Sequence, residues 1–393
     1  MTDLIEKLKQ GLFLLLLAAV PAFFFLRGDW VLYALVDQDT VSDGLYSTTM
    51  EDMVKSALPM SRQLAQLGLD LRLLGGQREQ NGIFISENGL MRNIDQENRM
   101  FTRENTAVIS EFAQQLADAS NYRKNVYLAV IPTSGGVLTQ DLPQFAQSQM
   151  VDQRRLIEEL YNRTSDLVRT VDVFSSLRNR REQYIYYRTE NNLTALGGFY
   201  TYTALARRLG VADRSVNQFD IEYVDHSYYG DLYQSPAGTV GAWGGATAPY
   251  RQVKPDTLSL FTYGRAQREY IVTQTANGEK KTYHTLYPRH LMELGSKMDV
   301  YLGGAAAITE IASSAPYRSR LLVFGDKTAM AYLPFLVNHY GEVTLCDLFL
   351  MAPEDFAAIR PEEYDNVLFV YGIETFIHTQ SPAMAGRIAW EDA

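Results

Sequence analysis

Three polar residues, Asp326, Lys327 and Thr328, follow directly on a short apolar run and precede an apolar segment with helical spacing. In α/β enzymes, a tight turn between a buried strand and a helix commonly exposes the nucleophile. Here Lys327 occupies the tip of the turn, where such enzymes carry a serine or a cysteine. Thr328 could supply a hydroxyl one residue later, and Lys327 could act as a catalytic amine if its pKa were depressed. Both routes depart from the usual chemistry of this turn.

A hydroxyl nucleophile also needs a general base, and the chain contains five histidines that could supply one. They are His226, His284, His290, His339 and His378. Asp225 and His226 are adjacent, but neighbours in an extended segment point in opposite directions, so we interpret His226 as a solvated loop residue. The other four histidines are isolated, and the sequence therefore predicts no metal site. Cys346 lies in a mostly apolar run and is predicted to be a buried structural thiol.

The elements that would position this turn lie within Arg320–Leu336. Leu321–Phe324 form a continuous apolar run, typical of a strand buried on both faces, and Gly325 ends it. Asp326 and Thr328 can accept hydrogen bonds from the free N–H groups at the start of a helix. Beyond residue 300, strand-like and helix-like segments alternate. This alternation predicts an α/β fold with a mainly parallel, flavodoxin-like sheet that is covered by helices.

The N-terminal part of the chain has the character of a membrane segment. Gly11–Leu26 contains sixteen residues without a charge, and Lys7 and Lys9 precede it. We predict that it spans the cytoplasmic membrane, with the N-terminus inside and the main domain outside. Cleavage as a signal peptide near Val20-Pro21-Ala22 is the alternative. A buried core helix is a further interpretation, although the run has no polar stripe.

The remaining organisation follows from composition. We predict a cytoplasmic stub and anchor at residues 1–36, a helical stalk or linker at 37–80 and the main domain at 81–393, with a Tyr- and Gly-rich insertion at about 211–300. Hydrophobic residues make up 46% of the chain, which is ample for a core. The net charge of −10 and the lack of a long basic run argue against nucleic acid as a partner. No cofactor is predicted.

The segment Tyr186–Gly198, YYRTENNLTALGG, resembles the signature of the DHHW protein family, which is named for an Asp-His-His-Trp run. Other blocks of this family are matched in the same order along the chain: Asn81–Met91, Lys254–Thr257, Tyr301–Gly304, Asp326–Leu336 and Tyr364–Leu368. The resemblance covers roughly residues 80–375 and is specific because several blocks agree in order. It implies an SGNH-hydrolase-like fold, similar to that of alginate O-acetyltransferase-type enzymes.

The same resemblance implies positions for the catalytic groups. The acid position falls on Glu190, the base position on Asn192, the nucleophile position on Lys327 and the oxyanion position on Ala305. An amide cannot take up a proton at neutral pH, and alanine offers no side-chain donor. Loss of the base together with the nucleophile leaves only weak residual catalysis. We also predict that Lys327 and Glu190 lie close enough to form an ion pair.

By family resemblance, the expected setting is the O-acetylation of a cell-surface polysaccharide in a bacterial envelope. We predict a catalytically inactive component that binds a glycan or a protein partner beside a membrane-bound O-acyltransferase. An active O-acetyltransferase or acetylesterase with a non-standard triad is the alternative, and a structural envelope protein is a further one. Trp243, Tyr228 and Tyr229 could form an aromatic platform for sugars, or they could instead pack the insertion against the domain.

Overall fold

The computed structural model describes residues 75–390, apart from positions 77, 81, 87, 95, 235–252, 265–267 and 277. The chain divides into two units, and the second unit, Arg78–Gln234 with Tyr250–Ala393, contains almost all of the described residues. The predicted anchor Gly11–Leu26 and Trp243 lie outside the described residues. In the part of the chain that is described, no helix combines the length and the hydropathy needed to cross a membrane.

The strands and helices are numbered separately along the chain. The strands are β1 (Glu79–Gln80), β2 (Ile83–Ile85), β3 (Leu90–Arg92), β4 (Asn125–Ile131), β5 (Val168–Thr170), β6 (Phe219–Tyr228), β7 (Asp256–Tyr263), β8 (Tyr270–Ala276), β9 (Glu279–Tyr283), β10 (Ile308–Ser313), β11 (Arg320–Gly325), β12 (Glu342–Cys346) and β13 (Asn366–Gly372). The helices are α1 (Arg99–Ala119), α2 (Ser134–Val137), α3 (Gln153–Arg163), α4 (Val173–Arg178), α5 (Ala195–Leu209), α6 (Asp231–Gln234), α7 (Ala329–Leu336), α8 (Pro353–Phe356) and α9 (Ile373–His378).

The central element is a sheet of eight described strands in the order β5-β4-β13-β11-β12-β10-β8-β9. The strands from β5 to β12 in this order are parallel to one another. The remaining strands β10, β8 and β9 continue the sheet in antiparallel pairs. Two smaller sheets, β1-β2-β3 and β6-β7, complete the strand pairing of the described residues. The fold is thus mixed α/β with a large central sheet.

Two features of this sheet differ from the predicted flavodoxin-like arrangement. A flavodoxin-like sheet orders its parallel strands 2-1-3-4-5 along the chain. When the five parallel strands of this sheet are numbered in chain order, they lie in the order 2-1-5-3-4, because β13 lies between β4 and β11. The sheet also carries antiparallel strands on one side, since β10 pairs antiparallel with both β12 and β8. Within the predicted insertion at 211–300, β8 and β9 extend the central sheet.

Strand β11 has the burial that its sequence predicts. Leu321, Leu322, Val323 and Phe324 are all fully buried, and successive side chains of a strand point to opposite faces. Both faces of the sheet must therefore be covered at this strand. Phe324 packs edge-on against Phe112 of α1, with ring centroids 5.6 Å apart. The strand is consequently fixed from both sides, and the turn that follows it starts from a rigid support.

Helices α5 and α7 pack against each other beside the sheet. Thr194 caps α5 by accepting a hydrogen bond from the Gly197 N–H at 3.2 Å, and Gly210 follows the last residue of this helix. Phe335 of α7 contacts the ring of Phe199 of α5, with centroids 5.5 Å apart. This packing fixes the start of α5, and with it the segment immediately before it, against the turn between β11 and α7.

Candidate functional site

The turn after β11 is held by the carboxylate of Asp326. Its Oδ1 atom accepts hydrogen bonds from the Thr328 N–H at 3.0 Å and from the Thr328 hydroxyl at 2.6 Å. Its Oδ2 atom accepts from the N–H of Gly372 at 2.9 Å, at the end of β13. Asp326 therefore joins the carboxyl ends of two neighbouring strands, where open α/β sheets place their ligands. Thr328 is buried, and its hydroxyl is already engaged with Asp326.

The segment that carries Glu190 is positioned by the fully buried carboxylate of Asp256, at the start of β7. This carboxylate accepts from the N–H of Arg188 at 2.7 Å and from the N–H of Thr189 at 2.8 Å. The hydroxyls of Tyr184 and Thr189 also donate to it. A buried carboxylate needs such a set of donors, and here they fix the backbone immediately before Glu190.

Lys327 and Glu190 form the predicted ion pair, with Lys327 Nζ 3.2 Å from Glu190 Oε1. A second carboxylate completes the cluster, because Asp231 Oδ2 lies 2.7 Å from the same ammonium group. Glu190 is 7% exposed, whereas the Lys327 and Asp231 side chains are 45% and 46% exposed. Glu190 Oε2 also accepts from the hydroxyl of Tyr228 and from the Asp231 N–H, both at 2.9 Å. Both oxygens of the buried carboxylate thus have polar partners, three donors in total.

The close approach of these groups depends on Gly230. A Cβ atom at this position would lie 2.5 Å from the Cβ of Glu190, which is shorter than any normal contact. The N–H of Gly230 donates to the hydroxyl of Thr189 at 2.9 Å. The absence of a side chain therefore lets the segment that carries Asp231 pass directly over Glu190.

Burial and charge act in opposite directions on the cluster. Burial opposes the charged form of Lys327, but the carboxylates of Glu190 and Asp231 outweigh it and raise the pKa of the ammonium group. Burial raises the pKa of Glu190, and Lys327 offsets this only in part. Burial also opposes the charge of Asp231, yet Lys327 lowers the pKa of this carboxyl below its usual value. Lys327 is therefore a firmly protonated ammonium, which has no lone pair for nucleophilic attack.

Asn192, at the predicted base position, makes two hydrogen bonds with the backbone. Its Oδ1 accepts from the N–H of Leu193 at 2.8 Å, and its Nδ2 donates to the carbonyl oxygen of Lys327 at 3.2 Å. The amide thus ties the start of α5 to the turn after β11. It presents a donor where a general base would need an acceptor.

Ala305, at the predicted oxyanion position, lines a cavity of only about 20 Å³ together with Lys327, Met330 and Asp347. Burial and the nearby Asp326 raise the pKa of Asp347 to about 6. A neighbouring cleft of about 60 Å³ lies between Asn192 and the turn after β11. Ligand pockets usually enclose about 300–1,000 Å³, so neither space holds a sugar or an acyl donor in its present form.

Two of the three residues of the predicted aromatic platform, Tyr228 and Tyr229, lie within the described part of the chain. Tyr228 is buried, and its ring packs edge-on against Tyr187 with centroids 6.1 Å apart, so it offers no face to a ligand. Tyr229 is partly buried, and its ring contacts that of Tyr233 in a tilted arrangement with centroids 4.2 Å apart. The placement of Tyr228 favours the interpretation that these residues pack the chain against the domain.

The histidines lie apart from the cluster. His339 is buried and its Nε2 lies 2.7 Å from the hydroxyl of Tyr202. His378 contacts the carbonyl oxygen of Gln96 at 3.1 Å, and His226 is exposed beside the ring of Tyr223. Among the residues that the structure describes, no group of three or more His, Cys, Asp or Glu side chains is arranged to hold a metal ion.

Sequence reasoning missed two residues of the site, Asp231 and Asp256. Asp231 is separated from Glu190 by 41 positions, and only the path of β6 brings it back to the turn. Asp256 belonged to a family-like block, which gave a signal of importance but not of its role. Its hydrogen bonds from the N–H groups of Arg188 and Thr189 show that it holds the segment before Glu190.

The polar cluster lies at the carboxyl ends of the parallel strands, where open α/β sheets place their ligands. The model of the DHHW protein family matches residues 96–346, and the chain belongs to this family. This match includes the segment around Glu190 and Asn192, as well as the turn at Lys327. A comparison with curated protein sequences gives no significant match.

Solved structures share this fold at low sequence identity. A DHHW family protein from Eubacterium siraeum superimposes with a TM-score of 0.61 at 18% identity, covering 80% of this chain and 98% of the other. PatB1 from Bacillus cereus gives a TM-score of 0.61 at 15% identity, covering 76% and 98%. A second PatB1 structure, with a sulfonyl adduct, gives 0.60 at 15% identity, covering 76% and 96%. These similarities extend across nearly the full length of the related structures.

Proposed function

We propose that this chain is a catalytically inactive member of the DHHW family, which binds a glycan or a protein partner during the O-acetylation of a cell-surface polysaccharide. The observation that carries this proposal is the state of Lys327. Its ammonium group lies between Glu190 and Asp231, and these two carboxylates raise its pKa. The position that family resemblance assigns to the serine nucleophile is therefore filled by a protonated cation.

Two further observations support the loss of catalysis. Asn192 donates its amide to a backbone carbonyl, so the assigned base position has no group that takes up a proton. The space beside it measures about 60 Å³, which is too small for an acyl donor. Acyl transfer by a serine mechanism needs a nucleophile and a base, and Lys327 and Asn192, at the positions assigned to these roles, supply neither.

The proposed setting rests on family resemblance and on the N-terminal sequence. We propose that Gly11–Leu26 anchors the chain in the cytoplasmic membrane, with the N-terminus inside and the main domain outside. A membrane-bound O-acyltransferase is the proposed protein partner. In this arrangement an inactive chain would hold the polysaccharide or the partner in place, while another component transfers the acyl group.

Hydrolysis of p-nitrophenyl acetate by the full-length chain tests the proposal. We expect the unmodified chain to show no turnover beyond that of its Thr328→Ala variant. A triple variant, Lys327→Ser with Asn192→His and Glu190→Asp, restores the family's residue types and serves as the comparison. Turnover by the unmodified chain that disappears in Thr328→Ala would overturn the proposal.

A sulfonyl reagent provides a second test, because one PatB1 structure carries a sulfonyl adduct. Sulfonylation requires a nucleophile, and a protonated Lys327 supplies none. We expect mass spectrometry to find no stoichiometric adduct on the unmodified chain at neutral pH. An adduct mapped to Thr328 would show an active hydroxyl, and an adduct mapped to Lys327 would show that its pKa is depressed.

One observation favours the alternative of an active enzyme. The hydroxyl of Thr328 lies 2.6 Å from Asp326 Oδ1, so a carboxylate is placed to accept its proton. The same carboxylate also accepts from two backbone N–H groups, so it is engaged in holding the turn. The ester assay separates the two functions, because Thr328→Ala would abolish turnover only in an active enzyme.

A further inference from the structure

A groove of about 940 Å³ lies between α4 and α5, away from the turn at Lys327. Thr170 and Asp172, at and just after the end of β5, line the groove, and so does the segment from Asp213 to Val216. Its volume lies at the upper end of the range for ligand pockets, about 300–1,000 Å³. No residue of the groove was identified from the sequence as part of a site.

The groove concentrates positive charge in a chain whose net charge is −10. Its lining includes the arginines Arg180, Arg207, Arg208 and Arg214 and the aspartates Asp172 and Asp213. Asp213 is paired with Arg207 at 2.9 Å, and the Asp172 carboxylate caps α4 by accepting from the Ser175 N–H at 2.8 Å. Among the described residues, the other three arginines have no carboxylate partner.

The guanidinium groups of these three arginines have different surroundings. The guanidinium of Arg180 lies over the ring of Tyr200, 5.1 Å from its centroid, which supports the group without neutralising it. Arg208 is exposed, and it makes no ion pair or side-chain hydrogen bond with any described residue. A planar guanidinium with free N–H groups matches the geometry of a carboxylate or a phosphate.

Arg214 is the rigid member of the set. Its guanidinium lies over the ring of Tyr263, 4.1 Å from the centroid, and donates to the carbonyl oxygen of Asn338 at 3.1 Å. Its Nε is buried and has no hydrogen-bond partner among the described residues. Burial and the positive charges of Arg214 and Arg268 lower the pKa of His339.

The lining also suits a ligand that is rich in hydroxyl groups. Ser176 and Thr203 both donate their hydroxyls to the carbonyl oxygen of Tyr200, at 3.0 and 2.8 Å. Their oxygen lone pairs therefore remain as acceptors beside the arginines. Asn179 and Ser215 add exposed polar groups to the same lining. Cations for carboxylates and acceptors for hydroxyls are thus combined in one groove.

We infer that this groove binds an acidic oligosaccharide. Carboxylate or phosphate groups of the ligand pair with Arg180, Arg208 and Arg214, and its hydroxyls donate to Ser176 and Thr203. This site is separate from the turn at Lys327, so its occupancy does not depend on whether that turn is catalytic. The ester assay and a binding assay can therefore fail independently of each other.

Isothermal titration calorimetry of the full-length chain at low salt tests the inference. The probes are trigalacturonate, the neutral trisaccharide maltotriose and a short oligothymidylate. The test variant is Arg180→Ala with Arg208→Ala. The matched control is Arg154→Ala with Arg155→Ala, which removes the same charge from exposed positions of α3. Urea unfolding of both variants checks that each one folds.

We expect trigalacturonate to bind, maltotriose not to bind, and the test variant to lose at least about tenfold in affinity, since it lacks two charge-assisted contacts. The control variant should stay within about twofold of the parent, because long-range attraction between exposed charges is screened. Equal losses in both variants would show attraction by net charge alone and would overturn the inference. Binding of oligothymidylate through the same arginines with equal affinity would overturn it as well, because the groove would then not select a sugar acid.

Discussion

Replacing Lys327 by Met removes the cation that holds Glu190 and Asp231 while keeping a side chain of similar length. Breaking a fully buried pair costs about 3–5 kcal/mol, and breaking an exposed pair costs about 0–1 kcal/mol. Glu190 is 7% exposed, but the lysine side chain is 45% exposed. Glu190 also keeps its hydrogen bonds from Tyr228 and from the Asp231 N–H. We therefore expect a loss of about 2 kcal/mol in the free energy of unfolding.

The expected loss depends on pH. Without Lys327, the pKa of Glu190, which burial already raises, rises further. The folded variant then binds a proton at pH values where the unfolded chain does not, so its stability increases as the pH falls. The difference between parent and variant should be largest at about pH 7.5 and should shrink toward about pH 5.

Urea unfolding of the full-length chain, followed by far-UV circular dichroism, measures this difference. Adding Glu190→Gln to Lys327→Met should recover about half of the loss, because it removes the unpaired charge. Arg155→Met is the matched control, since Arg155 is 78% exposed and pairs with Glu159 at 2.9 Å, and its unfolding midpoint should not change. A Lys327→Met variant as stable as the parent, or equally destabilised at both pH values, would refute the reasoning.

Three further predictions concern other parts of the fold. Burial, with a contribution from Arg214, lowers the pKa of His339 from 6.5 to about 4. As the pH falls, the unfolded chain takes up this proton before the folded chain does, so the free energy of unfolding should fall by about 3 kcal/mol between about pH 6.5 and pH 4. Urea unfolding at a series of pH values measures this fall, and His339→Gln should remove it. Cys346 is buried and burial raises the pKa of its thiol, so native protein should resist a disulfide reagent that labels it fully in urea. In Gly198→Ala, the new Cβ would lie 1.9 Å from the carbonyl oxygen of Ala331, so forcing α5 away from α7 should cost about 3 kcal/mol, measured by urea unfolding.

The elements that could be predicted are those with a strong local signal. Strand β11 is a continuous apolar run, and α5 has helical periodicity followed by Gly210. Strand β9, with the sequence EKKTY and four exposed residues, has no apolar pattern and could not be recognised. The place of β13 between β4 and β11 is set by long-range packing, which no local pattern records.

The contacts of the site likewise include some that could be predicted from the sequence and others that could not. The ion pair between Lys327 and Glu190 could be predicted because family resemblance assigned both residues to one site. Asp231 could not be predicted, since it reaches the site only after β6 has carried the chain away and back. The backbone contacts of Asn192 were equally hidden, because an amide in a sequence does not show which group its oxygen accepts from.

The contacts of Lys327 also indicate that no single substitution would create the serine mechanism that the family resemblance implies. Lys327→Ser would leave Glu190 and Asp231 facing each other without a cation, and repulsion between them would raise the pKa of one carboxyl. Asn192 would still donate its amide to a backbone carbonyl, so the new hydroxyl would have no imidazole to take its proton. Asn192→His alone would remove the amide tie between α5 and the turn and would place the ring beside a cation. Each of the two substitutions therefore removes a contact of the turn after β11, and neither alone brings a hydroxyl and an imidazole together.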